Sequence, residues 1–129
     1  MAPSDWHCRL TRVFVLAVFA TIVSSTMSAQ TTISTGSIQG SVVDPSGAVV
    51  SNAKVIVSNR KNGQSITTST NSSGVYTSGA LAPGDYVVRV EGKGFKTAEL
   101  PLTVQVGVTT AGSVRLQVGQ ADEVIEVQG

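Results

Sequence analysis

Short runs of alternating apolar and polar residues, each closed by a turn sequence, are the feature that most constrains the fold. The runs include SIQGSVV (37–43), AKVIVSN (53–59) and DYVVRVE (85–91), and the turns include DPSG (44–47) and NSSG (71–74). A period of two places the apolar side chains on one face of a strand, and no window after residue 36 has a helical period. About seven such runs, with turns every eight to twelve residues or so, predict an all-β sandwich or barrel.

The same alternation predicts which side chains face the core. The run QSITTST (64–70) is β-branched but polar, which indicates an edge or solvent-facing strand, and RKNG (60–63) before it contains the Asn-Gly pair that favours a hairpin. Ile56 lies on the outer face of its strand, so we expect that face to be partly covered. The side chains predicted to face inward are Ile38, Gly40, Val42, Ala53, Val55, Val57, Tyr86, Val88, Val90, Leu100, Leu102, Val104, Val106, Val114, Leu116, Val118, Ile125 and Val127.

The N-terminal residues have the order of a secretory signal peptide. Arg9 and Arg12 precede the apolar run VFVLAVFATIV (13–23), and small residues follow it. We predict a signal peptide over residues 1–29, with cleavage near Ala29; an uncleaved interfacial helix is the alternative. The run is shorter than the roughly 20 residues that span a membrane. We therefore expect an exported protein, in the periplasm or outer membrane, with no membrane span after cleavage.

The rest of the chain divides into three parts. Residues 30–35 are predicted to be a flexible polar lead-in, residues 36–119 the β-sandwich, and residues 120–129 a C-terminal strand or linker.

Removal of a signal peptide leaves little catalytic chemistry. The single tryptophan, histidine and cysteine are Trp6, His7 and Cys8, so all three leave with it. Zinc peptidases need histidine and carboxylate ligands, and a serine nucleophile needs a base to activate it. We therefore predict that the protein is not an enzyme and holds no metal or cofactor.

The charged residues give no sign of a polyanion or of calcium as a ligand. Of nine basic and eight acidic residues, two basic and one acidic lie in the first 29, so the remaining charges balance. Dispersed, balanced charge predicts no nucleic-acid partner. Asp44, Asp85, Asp122 and Glu123 are scattered and lack the short spacing of a calcium loop, so we interpret them as turn caps and solvated charges.

The segments GSVVDPSGAVVSNAKVIV (40–57) and TNSSGVYTSGALAPGDYVVRVEGKGF (70–95) resemble the carboxypeptidase regulatory-like domain. This resemblance implies a seven-stranded, Greek-key-type, transthyretin-like sandwich, grouped with carbohydrate-binding-like folds, that accompanies a peptidase domain without carrying its site. Ser78 departs from the family, which usually has an apolar residue there. The matching positions are Gly40, Asp44, Gly47, Ala53, Val55, Val57, Gly74, Tyr76, Leu81, Gly84, Tyr86, Val88, Val90, Gly94 and Phe95.

Chains that resemble this one often form the N-terminal extension of TonB-dependent outer-membrane receptors. In those proteins a segment like VGQADEVIEVQG (118–129) leads into the plug domain. Related adhesin repeats carry a Lys–Asn isopeptide bond, but the corresponding glutamate and lysine slots here hold Val90 and an apolar residue near Ile38. We therefore predict no isopeptide.

Two functions remain after these exclusions. The first is a non-enzymatic exported accessory or interaction domain, belonging to or related to a TonB-dependent receptor, with other envelope proteins or a covalently continuous receptor barrel as partners. The alternative is a stand-alone carbohydrate-binding module. Starch-binding sandwiches stack sugar rings on exposed aromatic side chains, so Tyr76 and Tyr86 are the candidate carbohydrate contacts, although their positions favour a core role.

Overall fold

The computed structural model describes Arg9, Thr32 and residues 34–128. Apart from Arg9, the predicted signal peptide lies outside the described residues, as do Gln30, Thr31 and Ile33 of the predicted lead-in. Of the two compact units, Met1–Thr32 and Ile33–Gly129, the second contains every strand given below. In the part of the chain that is described, no helix combines the length and apolarity needed to cross a membrane.

Residues 34–128 form nine strands in two sheets and no helix, which confirms the predicted all-β sandwich. One sheet has the order β4–β1–β7, with β8 also paired to β1, and the other has the order β3–β2–β5–β6–β9. The strands are β1 (Ser37–Val43), β2 (Lys54–Asn59), β3 (Ser65–Ser69), β4 (Val75–Thr77), β5 (Gly84–Glu91), β6 (Thr97–Val104), β7 (Thr109–Ala111), β8 (Val114–Arg115) and β9 (Val124–Glu126).

The two strands beyond the seven of the resembled fold have separate origins. β7 and β8 pair in parallel with successive parts of β1, so they are one edge strand interrupted at Gly112 and Ser113. β9 pairs in parallel with β6, with Ala98 opposite Ile125, and adds an outer strand to the larger sheet.

The core lies between the two sheets and consists of the alternating apolar side chains. Buried side chains from β1, β2, β5 and β6 form one cluster, against which Leu102, Ile125 and Val127 are partly buried. Because its apolar core comes from its own strands, we expect the unit Ile33–Gly129 to fold by itself. The buried apolar residues are Ile38, Val42, Ala53, Val55, Val57, Tyr76, Leu81, Tyr86, Val88, Val90, Ala98, Leu100, Val104, Val114 and Leu116.

The inward orientation predicted for two valines is wrong. Val106 is 51% exposed and Val118 is 72% exposed. β6 ends at Val104, and the chain then turns through Gly107, whose φ is 72°. Val118 follows the end of β8 and makes only an isolated bridge to Phe95 outside the named strands. Alternation that continues past the end of a strand no longer reports which side chains reach the core.

Hydrogen bonds explain the turn at DPSG and the serine that departs from the family pattern. Asp44 Oδ1 accepts from the backbone nitrogens of Ser46 and Ala48, both at 2.9 Å, as the turn prediction requires. Its bond from the Ser46 hydroxyl is the main cause that lowers the pKa of Asp44. The Ser78 Oγ accepts from the backbone nitrogen of Ile38 at 2.9 Å, so this serine forms a polar link to β1.

Pro101 lies inside β6, four residues after its start. The backbone nitrogen of Thr97 donates to the carbonyl of Glu123, and the backbone nitrogen of Val127 donates to the carbonyl of Glu99. The backbone N–H and C=O groups of odd-numbered residues of β6 therefore point toward β9. Pro101 therefore faces the same side, beyond the residues that pair with β9. The missing N–H costs no bond to β5, which is why proline is tolerated here.

Candidate functional site

Tyr76 is a core anchor and not an open platform for a sugar. It lies on β4 opposite Gly40 of β1 and is 2% exposed. Its hydroxyl donates to the carbonyl oxygen of Gly112 at 2.5 Å. Burial raises the pKa of Tyr76 to about 12, because an ionised phenolate would lose its hydration there.

The contact between Tyr76 and Gly112 depends on two glycines. A Cβ on Gly40 would overlap the carbonyl oxygen of Gly112, and a Cβ on Gly112 would overlap the Tyr76 hydroxyl. The absence of both Cβ atoms therefore permits the close approach of the chain to β1 where β7 gives way to β8. The interruption of that edge strand and the tyrosine hydrogen bond are parts of the same local structure.

Tyr86 is also packed into the sandwich. It lies on β5, is 5% exposed, and donates its hydroxyl to the carbonyl oxygen of Ala82 at 2.8 Å. Sugar stacking needs an exposed aromatic face. The structure gives neither Tyr76 nor Tyr86 such a face, so the two candidate contacts do not form a stacking site.

A small cavity adjoins Tyr86, where polar side chains from two strands converge. It has a volume of about 220 Å³. Thr103 donates to Asp85 Oδ1 at 2.8 Å, and the backbone nitrogen of Arg60 donates to the Asp85 carbonyl at 3.0 Å. The arrangement offers a cation, a carboxylate and a hydroxyl, which suits a small polar ligand. The lining residues are Arg60, Asp85, Tyr86, Pro101, Leu102 and Thr103.

A second cavity, of about 510 Å³, lies beside β8 and the C-terminal segment. The Arg115 guanidinium donates to the Pro45 carbonyl at 3.2 Å, which already occupies part of its donor capacity. The lining residues are Pro45, Arg115, Leu116, Gln117, Ile125, Glu126, Val127 and Gln128. They include no cluster of groups that would direct a particular ligand chemistry.

The acidic residues weighed as calcium ligands do not converge. Asp44 caps its turn, and Glu123 pairs with Lys96 at 2.9 Å, a bond that lowers the pKa of Glu123. Within residues 34–128, no group of three or more histidine, cysteine, aspartate or glutamate side chains lies close enough together to hold a metal ion.

A line of ion pairs crosses the outer face of the larger sheet. Arg89 bridges Glu91 at 3.0 Å and Glu99 at 3.3 Å, and Lys54 lies 3.9 Å from Glu91. These side chains are roughly one-third to more than half exposed, so each pair contributes at most about 1 kcal/mol. Ile56 lies opposite Arg89 in the β2–β5 pairing and is half-buried, in agreement with the expected partial cover of this face.

The outer backbone edge of β3 is a candidate contact surface. The sequence did not distinguish it from the other strand edges. Its burial pattern is exposed at Ser65, Ile66, Thr67 and Ser69 and intermediate at Thr68. Among the nine strands described, it pairs with β2 alone. The polar composition of residues 64–70 predicted an edge strand, but composition alone could not identify which backbone groups stay unpaired.

The sequence matches one family model. The model described as carboxypeptidase regulatory-like domain aligns with residues 37–117. No curated protein sequence matches the chain.

Solved structures share the fold. The Bacillus anthracis TIE protein matches with a TM-score of 0.58 and 21% identity, over 66% of this chain and 17% of that one. The minor pilin of Streptococcus agalactiae matches with a TM-score of 0.55 and 20% identity, over 68% of this chain and 46% of that one. A candidate carbohydrate-binding protein from Bacteroides uniformis matches with a TM-score of 0.50 and 23% identity, over 62% of this chain and 40% of that one. The chain thus spans less than half of each structure, and these likenesses show a common fold.

Proposed function

Because the chain belongs to the carboxypeptidase regulatory-like domain family, we propose that it serves as a non-enzymatic accessory domain of an exported protein, for interaction or spacing. The observation that carries this proposal is that the buried tyrosine hydroxyls are hydrogen-bonded, whereas one sheet edge has unpaired backbone groups. The tyrosine hydroxyls bond to backbone carbonyls inside the sandwich, at Gly112 and Ala82, while no other strand of the described part of the chain pairs with the outer edge of β3. A domain with a satisfied interior and an open sheet edge is suited to contact other proteins.

We propose that the domain is the N-terminal part of, or is related to, a TonB-dependent outer-membrane receptor. The resemblance of residues 40–57 and 70–95 supports this, as does the segment 118–129, which resembles the lead into a receptor plug. The fold it shares with a pilin subunit agrees with export from the cytoplasm. In this role the partners are the covalently continuous receptor barrel or other envelope proteins.

Fractionated cells of the native host test this placement. An antibody raised against Gln30 to Gly129 should detect a band much larger than this chain in the outer membrane. A small soluble periplasmic band would contradict the receptor assignment and would leave a free-standing exported domain.

The non-enzymatic part of the proposal has a separate test. The purified domain should leave a mixed peptide library unchanged, since it lacks histidine after residue 29. Cleavage that copurifies with the domain and is lost with a point substitution in it would overturn this part of the proposal.

A carbohydrate-binding module is the second candidate, favoured by the cavity beside Tyr86. Arg60, Asp85 and Thr103 could hydrogen-bond the hydroxyls of one sugar unit. Its volume of about 220 Å³ falls below the roughly 300–1,000 Å³ of typical ligand pockets. This shortfall places the sugar hypothesis second.

A glycan array with the purified domain tests the sugar hypothesis. Binding should be lost in Asp85→Ala and kept in the matched control Asp122→Ala, which changes an acidic residue that does not line the cavity. Circular dichroism should show both variants folded. The absence of binding, or equal loss in both variants, would reject the hypothesis.

A further inference from the structure

We propose that β3 pairs with β3 of a second copy of this chain, antiparallel, joining the two larger sheets into one. The pairing does not depend on attachment to a receptor, so the fractionation test above and the association test below can fail separately.

The unpaired backbone groups of β3 belong to alternate residues. The backbone nitrogen of Thr70 donates to the carbonyl of Ala53, and the carbonyl of Gln64 accepts from the backbone nitrogen of Asn59. The backbone groups of even-numbered residues therefore point toward β2. In an antiparallel ladder the groups of adjacent residues point to opposite sides. Ser65, Thr67 and Ser69 therefore direct their N–H and C=O groups away from the sheet, and within residues 34–128 β3 has no second partner strand.

Two other edges of the sandwich are closed in identifiable ways. In β4, the outward nitrogen of Val75 donates to the Asn71 side chain at 3.0 Å, and its carbonyl accepts from the Asn71 nitrogen at 2.9 Å. The far edge of the larger sheet is covered by β9 along Thr97–Glu99, and Pro101 removes the next donor. Proteins commonly block strand edges in such ways to prevent unwanted pairing.

β3 carries none of these protections. Residues 64–70, QSITTST, include no charge and no proline, although lysine and proline are frequent devices on free edges. Ile66 adds an apolar side chain on the core-facing side and is 38% exposed. An additional strand would cover this side chain as well as satisfy the backbone.

Symmetry favours a second copy as the occupant. A two-fold axis through Thr67 places Thr67 opposite its equivalent, and Ser65 opposite Ser69 of the other copy. A charge at the axis position would lie directly opposite the same charge of the other copy, and like charges directly opposite are destabilising. Thr67 is uncharged and avoids that cost, and a Thr–Thr pair across an antiparallel ladder is favourable.

The contact is small. Two edges of five residues bury well under the roughly 1,600 Å² of a standard interface. We therefore expect a monomer–dimer equilibrium that depends on concentration, shifted toward dimer wherever copies are held at high local density.

The experiment measures association of the domain from Gln30 to Gly129 by sedimentation equilibrium over a concentration series. Thr67→Lys should weaken the dimer at least about tenfold, since two ammonium groups then meet at the axis. Thr67→Glu should do the same, and an equimolar mixture of the two should recover association as a heterodimer. Gln39→Lys is the control, because it adds the same charge on an exposed position of a central strand in the other sheet.

Amide hydrogen exchange locates the contact in the same samples. Protection at Ser65, Thr67 and Ser69 should rise with concentration, while Ile66 and Thr68 should be protected at every concentration. The mixing step guards against a variant that simply misfolds, because an unfolded chain would not be rescued by its opposite charge. A strictly monomeric domain, a dimer unaffected by both Thr67 substitutions, or concentration-dependent protection elsewhere would overturn the proposal. Pairing of β3 with another protein alone would also overturn it.

Discussion

The Tyr76 hydroxyl allows a sharp test of how this sandwich closes. Tyr76→Phe keeps the ring in the core and removes only the donor that reaches the Gly112 carbonyl. That carbonyl belongs to a buried residue, so it would be left without this partner. Leaving a buried acceptor unsatisfied costs about 1–3 kcal/mol. We expect the variant to be less stable than the wild type by this amount at neutral pH.

The same hydroxyl makes the difference depend on pH in a defined direction. Burial raises the pKa of Tyr76 from 10.0 to about 12, so the folded state favours the neutral phenol. A group whose pKa is raised on folding contributes stability that is fully present below its unfolded pKa and is lost as pH rises toward the folded value. Between pH 10 and 12 the wild type should therefore lose stability, by roughly 1 kcal/mol at pH 11. Tyr76→Phe cannot ionise there and lacks this loss.

Urea unfolding of both proteins at several pH values from 7 to 12 measures the difference. Taking the difference cancels every pH-dependent contribution that both proteins share. The stability gap should shrink steadily above pH 10 and approach zero or change sign by pH 12. Parallel curves for the two proteins would refute the argument, because they would mean that the Tyr76 hydroxyl ionises equally easily in the folded and unfolded chain.

Four further substitutions test the packing. Tyr86→Ala should cost about 3–5 kcal/mol in urea unfolding, as large aromatic deletions from a core do. Gly40→Ala should cost about 3 kcal/mol, because its Cβ would overlap backbone at Gly112. Asp44→Ala should speed amide exchange in the 44–48 turn; in the wild type the same loosening should appear as pH falls through the lowered pKa of Asp44. Val118→Lys should change stability by less than about 0.5 kcal/mol, since the side chain is 72% exposed.

Each of these has a result that would count against it. A loss below about 1 kcal/mol in Tyr86→Ala would contradict its role as a core anchor. A neutral Gly40→Ala would mean that β1 and the chain at Gly112 can separate without cost. Unchanged exchange in Asp44→Ala would mean that backbone bonds alone hold the turn, and a large loss in Val118→Lys would place that valine in the core after all.

Local sequence patterns determined much of this protein. Alternation identified the inward face of β1, β2 and β5, because successive side chains of a strand must point to opposite sides. Asp-Pro-Ser-Gly specified its own turn, since the Asp44 carboxylate bonds to amides only two and four residues away. Interactions of this short range need no knowledge of the rest of the chain.

The tertiary structure decided which segments meet and where each strand ends. Val106 and Val118 continue the apolar alternation yet lie outside the core, because pairing stops before them. The approach of Gly40 to Gly112 joins positions far apart in sequence, and neither glycine indicates it locally. The same holds for the free edge of β3: its polar composition indicated an edge, but only the arrangement of strands shows which backbone groups have no neighbour. Pairing between distant strands is a property of the whole chain, and a period of two does not encode it.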